Sequence, residues 1–251
     1  MAGTYRYRIG SRDIDASQHA RLCTMGDLIL GAAGDDADMS GFGVSDLNTG
    51  NASWVLSRMA VELRRLPSRG EPVDIHTWVS GYGRLFTTRN MTLAGVGAGG
   101  GAGEQFGAAV TLWAMIDLDT RRPLDLSSLS NRAGSLVDRE PPVGRPLKVG
   151  PVDGVAGSSY TVVYSDIDFN GHVNSMKYLE WMVDTLPAGA LAGLSSVRLD
   201  INYLHEATLG EALTICPAAA AATDTGVTHR FDIRNASGVS VCRAAIAGSA
   251  R

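Results

Sequence analysis

Apolar and polar positions along this chain follow two rhythms. Leu199, Ile201 and Tyr203 point one way and Asp200, Asn202 and Leu204 the other, the period of two of a half-buried strand. Met59, Val61 and Leu63 alternate likewise with Ala60, Glu62 and Arg64, and Val73, Ile75, Thr77 and Val79 predict a further strand. Residues 85–93, 105–116, 228–233 and 239–246 read as more strands, and 4–9 and 159–165 as extended openings. Elsewhere the rhythm changes. Met176, Leu179, Val183 and Leu186 recur at spacings of three and four, with Lys177, Glu180 and Asp184 off that stripe, which predicts an amphipathic helix stopped by Pro187. Residues 34–51, rich in Gly, Asp and Ser, read as loop.

The pattern occurs twice. SRDIDASQHARL, from Ser11, lies over YSDIDFNGHVNS, from Tyr164, so that Asp13 meets Asp166, Asp15 meets Asp168, Ser17 meets Asn170 and His19 meets His172 at an offset of 153. Arg58 to Leu66 lies over Arg198 to Glu206, and Gly70-Glu71 over Gly210-Glu211, at an offset of 140. The difference of 13 is an insertion in the first copy, assigned to 34–51. Two matched blocks in the same order indicate a duplicated unit. One helix followed by antiparallel strands, twice over, is an α+β pattern with a helix laid across each sheet. The expected division is a unit at 1–120, a proline-rich linker at 121–157 and a second unit at 158–251.

Composition narrows the function classes. A chain of 251 residues, 45% hydrophobic and 19% charged, buries a core without staples. Its formal charge of −4 gives no electrostatic footprint for nucleic acid. Cys23, Cys216 and Cys242 are odd in number and lack metal spacing, which fits a reducing, cytoplasmic setting without zinc. The opening MAGTYRYRIGSRD has no apolar signal core, and no run of about 18 apolar residues predicts a membrane span. The glycines of 95–107 are followed by a strand pattern rather than a helix, so they read as a hairpin connection and not a phosphate loop. Trp54, Trp78, Trp113 and Trp181 read mainly as core, and Arg64, Arg65 and Arg69 mainly as solvated side chains.

The duplication also locates candidate chemistry. The second copy carries Asp168, Asn170, His172 and Glu206, whereas the first has Leu66 where the second has Glu206. Leucine is neither acid nor base, so a site needing all four groups exists only in the second copy. Thioester hydrolysis needs a carboxylate to attack or to deprotonate water, donors for the oxyanion, and a group that orients the base. Backbone amides near Val173 and Asn174, at the helix start, are further candidate donors. Asp and Asn before a helix also serve as caps and turn formers, so spacing alone leaves both readings open.

YSDIDFNGHVNSMKYLEWMVDTLP resembles the signature of the acyl-acyl-carrier-protein thioesterases of plants and bacteria. WVLSRMAVELRRLPSRGEPVDIHTWVSG and LWAMIDLDTRRP extend the resemblance over nearly the whole chain. It implies two tandem hot-dog units, a degenerate first unit holding the acyl chain in its interior, and Asp168, Asn170, His172 and Glu206 as the catalytic set. It implies no metal, no bound cofactor, and acyl carrier protein with a phosphopantetheine-linked acyl group as partner, in a monomer or homodimer. That family usually follows the glutamate with cysteine, where this chain has Ala207. The departure favours a carboxylate mechanism, with Asp168 attacking or a carboxylate activating water. The rival readings are an acyl-coenzyme A thioesterase and a non-catalytic acyl-binding module.

Overall fold

The computed structural model describes residues 2–127, 136–153, 156–187, 189–191, 194–223 and 226–250. Each alternating run becomes a strand of an antiparallel sheet, and the chain divides into the units Met1–Pro146 and Leu147–Arg251. In the first unit β1 (Ala2–Arg8), β2 (Ala52–Leu63), β3 (Pro72–Tyr82), β4 (Thr87–Val96) and β5 (Ala102–Asp117) pair in the order β1-β3-β4-β5-β2. In the second, β6 (Ser158–Thr161), β7 (Leu194–Tyr203), β8 (Ala212–Pro217), β9 (Ala221–Thr223), β10 (Gly226–Asn235) and β11 (Ser240–Ala250) follow. Their order is β6-β8-β10-β11-β7, with the short β9 added to β10. Setting β9 aside, the two orders are one topology repeated.

Each sheet receives one principal helix. α1 (Leu22–Met39) packs on β3 and β1, burying Met25, Ile29, Ala32 and Ala33, and Ile75, Met91 and Leu93 are buried in the strands of the same unit. The helix runs well into the stretch read as loop, and α2 (Val44–Asn48) occupies more of it. Tertiary anchoring overrides the local glycines and aspartates here. Asp36 on α1 is buried and accepts a hydrogen bond from Arg89 Nη1 at 2.6 Å, while Tyr5 Oη donates to its other oxygen at 3.3 Å. Burial and the adjacent Asp36 push the Tyr5 phenol up to about 12. Past the end of α1 the chain turns at Gly41, whose φ of +67° lets Phe42 N–H reach Ala37 O at 2.9 Å and Gly41 N–H reach Asp38 O at 3.1 Å. The longer α1 and α2 take up the insertion.

α3 (Ser175–Asp184) starts at Asn174, whose side chain accepts from Met176 N–H at 2.8 Å. It buries Met176, Tyr178, Leu179, Trp181 and Met182. The buried face is therefore rotated from the expected stripe: Val183 is only half-buried, and Leu186 lies beyond the helix end. The aromatics Tyr178 and Trp181, which an aliphatic stripe leaves out, set the seating of the helix.

The stretch read as linker is packed. In the first unit Leu126 is buried with Ala52 and Met115, and its N–H donates to Arg84 O. In the second, residues 147–153 lie as a strap against the polar face of β7 and β10. Leu147 and Val149 N–H donate to Asp200 and Asn202 at 2.8 Å, and Val152 N–H reaches Asp232 at 3.4 Å. Asp200 and Asn202 thus lie opposite the apolar face as expected, but they are covered and buried, as is Asp232. Residues 128–135 of the linker lie outside the described residues.

Trp78 and Trp181 are core, whereas Trp54 and Trp113 are half-buried and donate to Phe42 O and Thr111 Oγ1. The glycine-rich segment joins β4 to β5 through a short 3-10 turn at Ala98–Gly100, with strand and not helix after it. Arg65 is engaged, bonded to Glu71 and stacked on Phe106.

Candidate active site

The second copy's loop is built on Asp166, which is buried and accepts from Tyr160 Oη and Val163 N–H, each at 2.8 Å. Above it Ile167 and Val173 form an isolated antiparallel bridge, and the chain between them turns back on itself. Asp168 N–H donates to His172 O at 2.8 Å and Gly171 N–H to Asp168 O at 3.0 Å. Gly171 has a φ of +79°, a conformation glycine adopts without a Cβ penalty. The segment is thus a turn and not an extended strand with Asp168, Asn170 and His172 on one face.

Asp168 Oδ1 accepts from Asn170 N–H at 2.8 Å and, more weakly, from His172 N–H at 3.4 Å. These bonds fix the carboxylate, and Oδ2 accepts from none of the described residues. Asn170 sits exposed at the tip, its side-chain amide bonded to no described residue. His172 Nε2 lies 3.4 Å from Glu206 Oε2, both side chains being partly exposed.

Glu206 is brought there by the turn between β7 and β8, tied to the loop by Val173 N–H donating to Ala207 O at 2.9 Å. Ala207 N–H in turn donates to Tyr178 Oη at 3.2 Å, and burial pushes the Tyr178 phenol well above its usual value. Tyr178→Phe orphans a buried N–H beside Glu206 and is expected to cost about 1–3 kcal/mol, measurable by thermal unfolding.

Two expected oxyanion donors are corrected. Val173 N–H is committed to Ala207 O, and Asn174 N–H donates to Asp166 O at 2.8 Å. Pairing with the neighbouring turn and closure of the loop consume both. The side-chain amide of Asn170 remains.

The first copy repeats this backbone. Asp15 N–H donates to His19 O, Gln18 N–H to Asp15 O, Ala20 N–H to Pro67 O and Arg21 N–H to Asp13 O, each the counterpart of a bond above. Gln18 takes a φ of 64° where the second copy has glycine. Ser68 N–H caps on Glu71 as Thr208 N–H does on Glu211, and Gly70 and Gly210 have φ of +83° and +82°. Ser17 Oγ bonds both Asp15 Oδ1 at 2.5 Å and His19 Nδ1 at 3.2 Å, so hydroxyl, carboxylate and imidazole engage one another. Leu66 stands at the position of Glu206.

Sequence reasoning passed over Asp166, Tyr160 and Tyr178 as supports of the loop. The D-I-D repeat was the available signal for Asp166, because Asp13 likewise accepts its own Gly10 N–H at 2.6 Å. Cys216 and Cys242 are buried on strands, and burial pushes the Cys242 thiol far up, the behaviour of an inert structural thiol. Among the described residues no group of three or more His, Cys, Asp and Glu could hold a metal ion, and no helix is long and apolar enough to cross a membrane.

Two tandem units, each a helix laid on an antiparallel sheet, with a carboxylate–imidazole loop in the second, define a double hot-dog protein. Residues 3–128 match the acyl-ACP thioesterase N-terminal domain and residues 152–247 the acyl-ACP thioesterase C-terminal domain. The chain belongs to the acyl-ACP thioesterase family. The crystal structure of an acyl-ACP thioesterase from Bacteroides thetaiotaomicron is similar at 29% identity and a TM-score of 0.85, covering 98% of this chain and 97% of that one. A chloroplastic acyl-acyl-carrier-protein hydrolase of Cuphea viscosissima is 28% identical over 162 residues, 61% of this chain and 38% of that protein. The chloroplastic oleoyl-acyl carrier protein thioesterase 1 of Arabidopsis thaliana is 27% identical over 221 residues, 80% of this chain and 59% of that protein. The chain thus spans less than two thirds of the length of either plant relative.

Proposed function

We propose that this protein hydrolyses the thioester of fatty acyl-acyl carrier protein to a free fatty acid and the carrier thiol. The observation that carries the reading is the pinned carboxylate of Asp168, with Oδ1 held by two backbone amides and the His172–Glu206 pair on the adjoining turn. A fixed carboxylate needs no reorganisation as the reaction proceeds. Asp168 Oδ2 acts on water or on the thioester carbon, and the amide of Asn170 donates to the oxyanion. In the water route the proton that Asp168 takes passes, relayed by His172 held by Glu206, to the leaving sulfur as the C–S bond breaks. In the direct route His172 gives its own proton to that sulfur and regains one from the water of the next step. In the direct route water then cleaves the mixed anhydride, so either path consumes one water per thioester. The burial of Cys216 and Cys242, and Ala207 beside Glu206, support a mechanism without a cysteine nucleophile. Three cysteines free of disulfides support a cytoplasmic setting.

Purified protein offered acyl carrier protein and acyl-coenzyme A substrates of varied chain length tests the reading. Thiol release is expected from both, with the higher kcat/KM on the carrier protein. No release from any substrate would overturn the enzymatic reading, and a preference for coenzyme A would overturn the choice of carrier.

A further inference from the structure

Ten large apolar side chains stand out as exposed among the described residues, and five of them lie on the two loops that carry Asp168 and Glu206. Tyr164 is 86% exposed, Phe169 83%, Leu209 60%, Val163 47% and Leu204 42%. The loops are joined by the bond from Val173 to Ala207 and by Val162 and Gly210, whose N–H groups donate to Glu211 O and Val162 O at 3.0 and 2.9 Å. Exposed apolar groups gathered in this way mark interaction sites rather than random surface.

The first copy is an internal control with the same backbone. Its residues at the five positions are Gly10, Ser11, Ala16, Arg64 and Arg69, none of them a large apolar side chain. Fold maintenance therefore does not require an apolar collar. The collar occurs on the copy that has Glu206 and is missing from the copy that has Leu66.

We infer that Val163, Tyr164, Phe169, Leu204 and Leu209 form a landing surface for the protein that presents the thioester. The inference rests on the reading of the second loop as the hydrolytic site. The occupant is a carrier protein that meets this chain through apolar side chains around the root of its flexible arm. Coenzyme A ends in a nucleotide and brings no protein surface to cover these side chains, whereas a carrier protein brings one around the root of its arm. Leucines stand at 204 and 209, where the first copy has arginines. Lys177 is held by Glu180 at 2.7 Å, and His172 faces Glu206. An apolar centre flanked by polar groups is the make-up of a protein contact.

The test transfers side chains of the first copy onto the second. One variant combines Tyr164→Ser, Leu204→Arg and Leu209→Arg, and another is Phe169→Ala, each checked for fold by circular dichroism. Substrates are a fatty acyl carrier protein and the same acyl group on N-acetylcysteamine. The triple variant is expected to raise KM for the carrier-borne substrate by about tenfold or more, the scale of one interface hot spot, with the small thioester affected less than roughly threefold. Equal losses on both substrates, or none on the carrier, would overturn the inference. In an Asp168→Asn background, fluorescence anisotropy of labelled acyl carrier protein reads binding without turnover. Weaker binding on adding the triple substitution supports the surface even where wild type proves inactive, so the two readings fail separately. Sedimentation in which the triple variant turns a dimer into a monomer assigns the collar to a second copy of this chain and overturns the proposal.

Discussion

Asp168→Asn is expected to lower kcat for acyl carrier thioester hydrolysis by about 10²–10⁴-fold, the usual contribution of a positioned acid–base group. Asparagine keeps an oxygen in place for the amides of Asn170 and His172, so the turn survives while the negative charge is lost. The loss therefore appears in kcat, with the unfolding temperature close to that of wild type. Glu206→Gln keeps the shape of the second turn but leaves His172 without its anionic partner 3.4 Å away, and it too lowers kcat. Full activity in Glu206→Gln would remove that group from the mechanism.

The largest stability effect is expected in the first unit, at Arg89. Its guanidinium donates to Asp36 at 2.6 Å and to Thr77 Oγ1 at 3.2 Å in the core of the first unit. Arg89→Leu leaves Asp36 buried without a cation and is expected to cost about 3–5 kcal/mol. For a chain of this size that lowers Tm by roughly 6–20 °C. Replacing both partners, Asp36→Leu with Arg89→Leu, is expected to recover most of the loss, because no charge is then stranded. A double variant as unstable as the single one would show that packing, not charge, dominates at this site.

Much of the fold was legible because period-two alternation survives wherever one strand face meets a core. Met59, Val61 and Leu63 are all buried, as are Leu199 and Ile201. The duplication was legible as well: pairs matched by residue type alone, such as Asp15 with Asp168, occupy the same turn. What escaped depends on partners distant in sequence. The extension of α1 needs Arg89, 53 residues from Asp36, and Asp200 and Asn202 look solvent-facing until residues 147–149 cover them. The amides of Val173 and Asn174 looked available because their acceptors, Ala207 O and Asp166 O, belong to backbone that residue type does not reveal. At the candidate site, residue types identified the groups, whereas the pinning of Asp168 through one oxygen is a property of the turn.

The strap at 147–153 fixes where this chain can be cut. The repeated pattern of the second copy starts near residue 158, yet its sheet is incomplete without the preceding peptide. A fragment starting at 158 would bare Asp200, Asn202 and Asp232 on what had been a covered face, and Arg234 would lose its bond to Val152 O. The inherited module and the excisable module thus have different first residues, and the peptide between those two starts is a hem of the second unit rather than a tether.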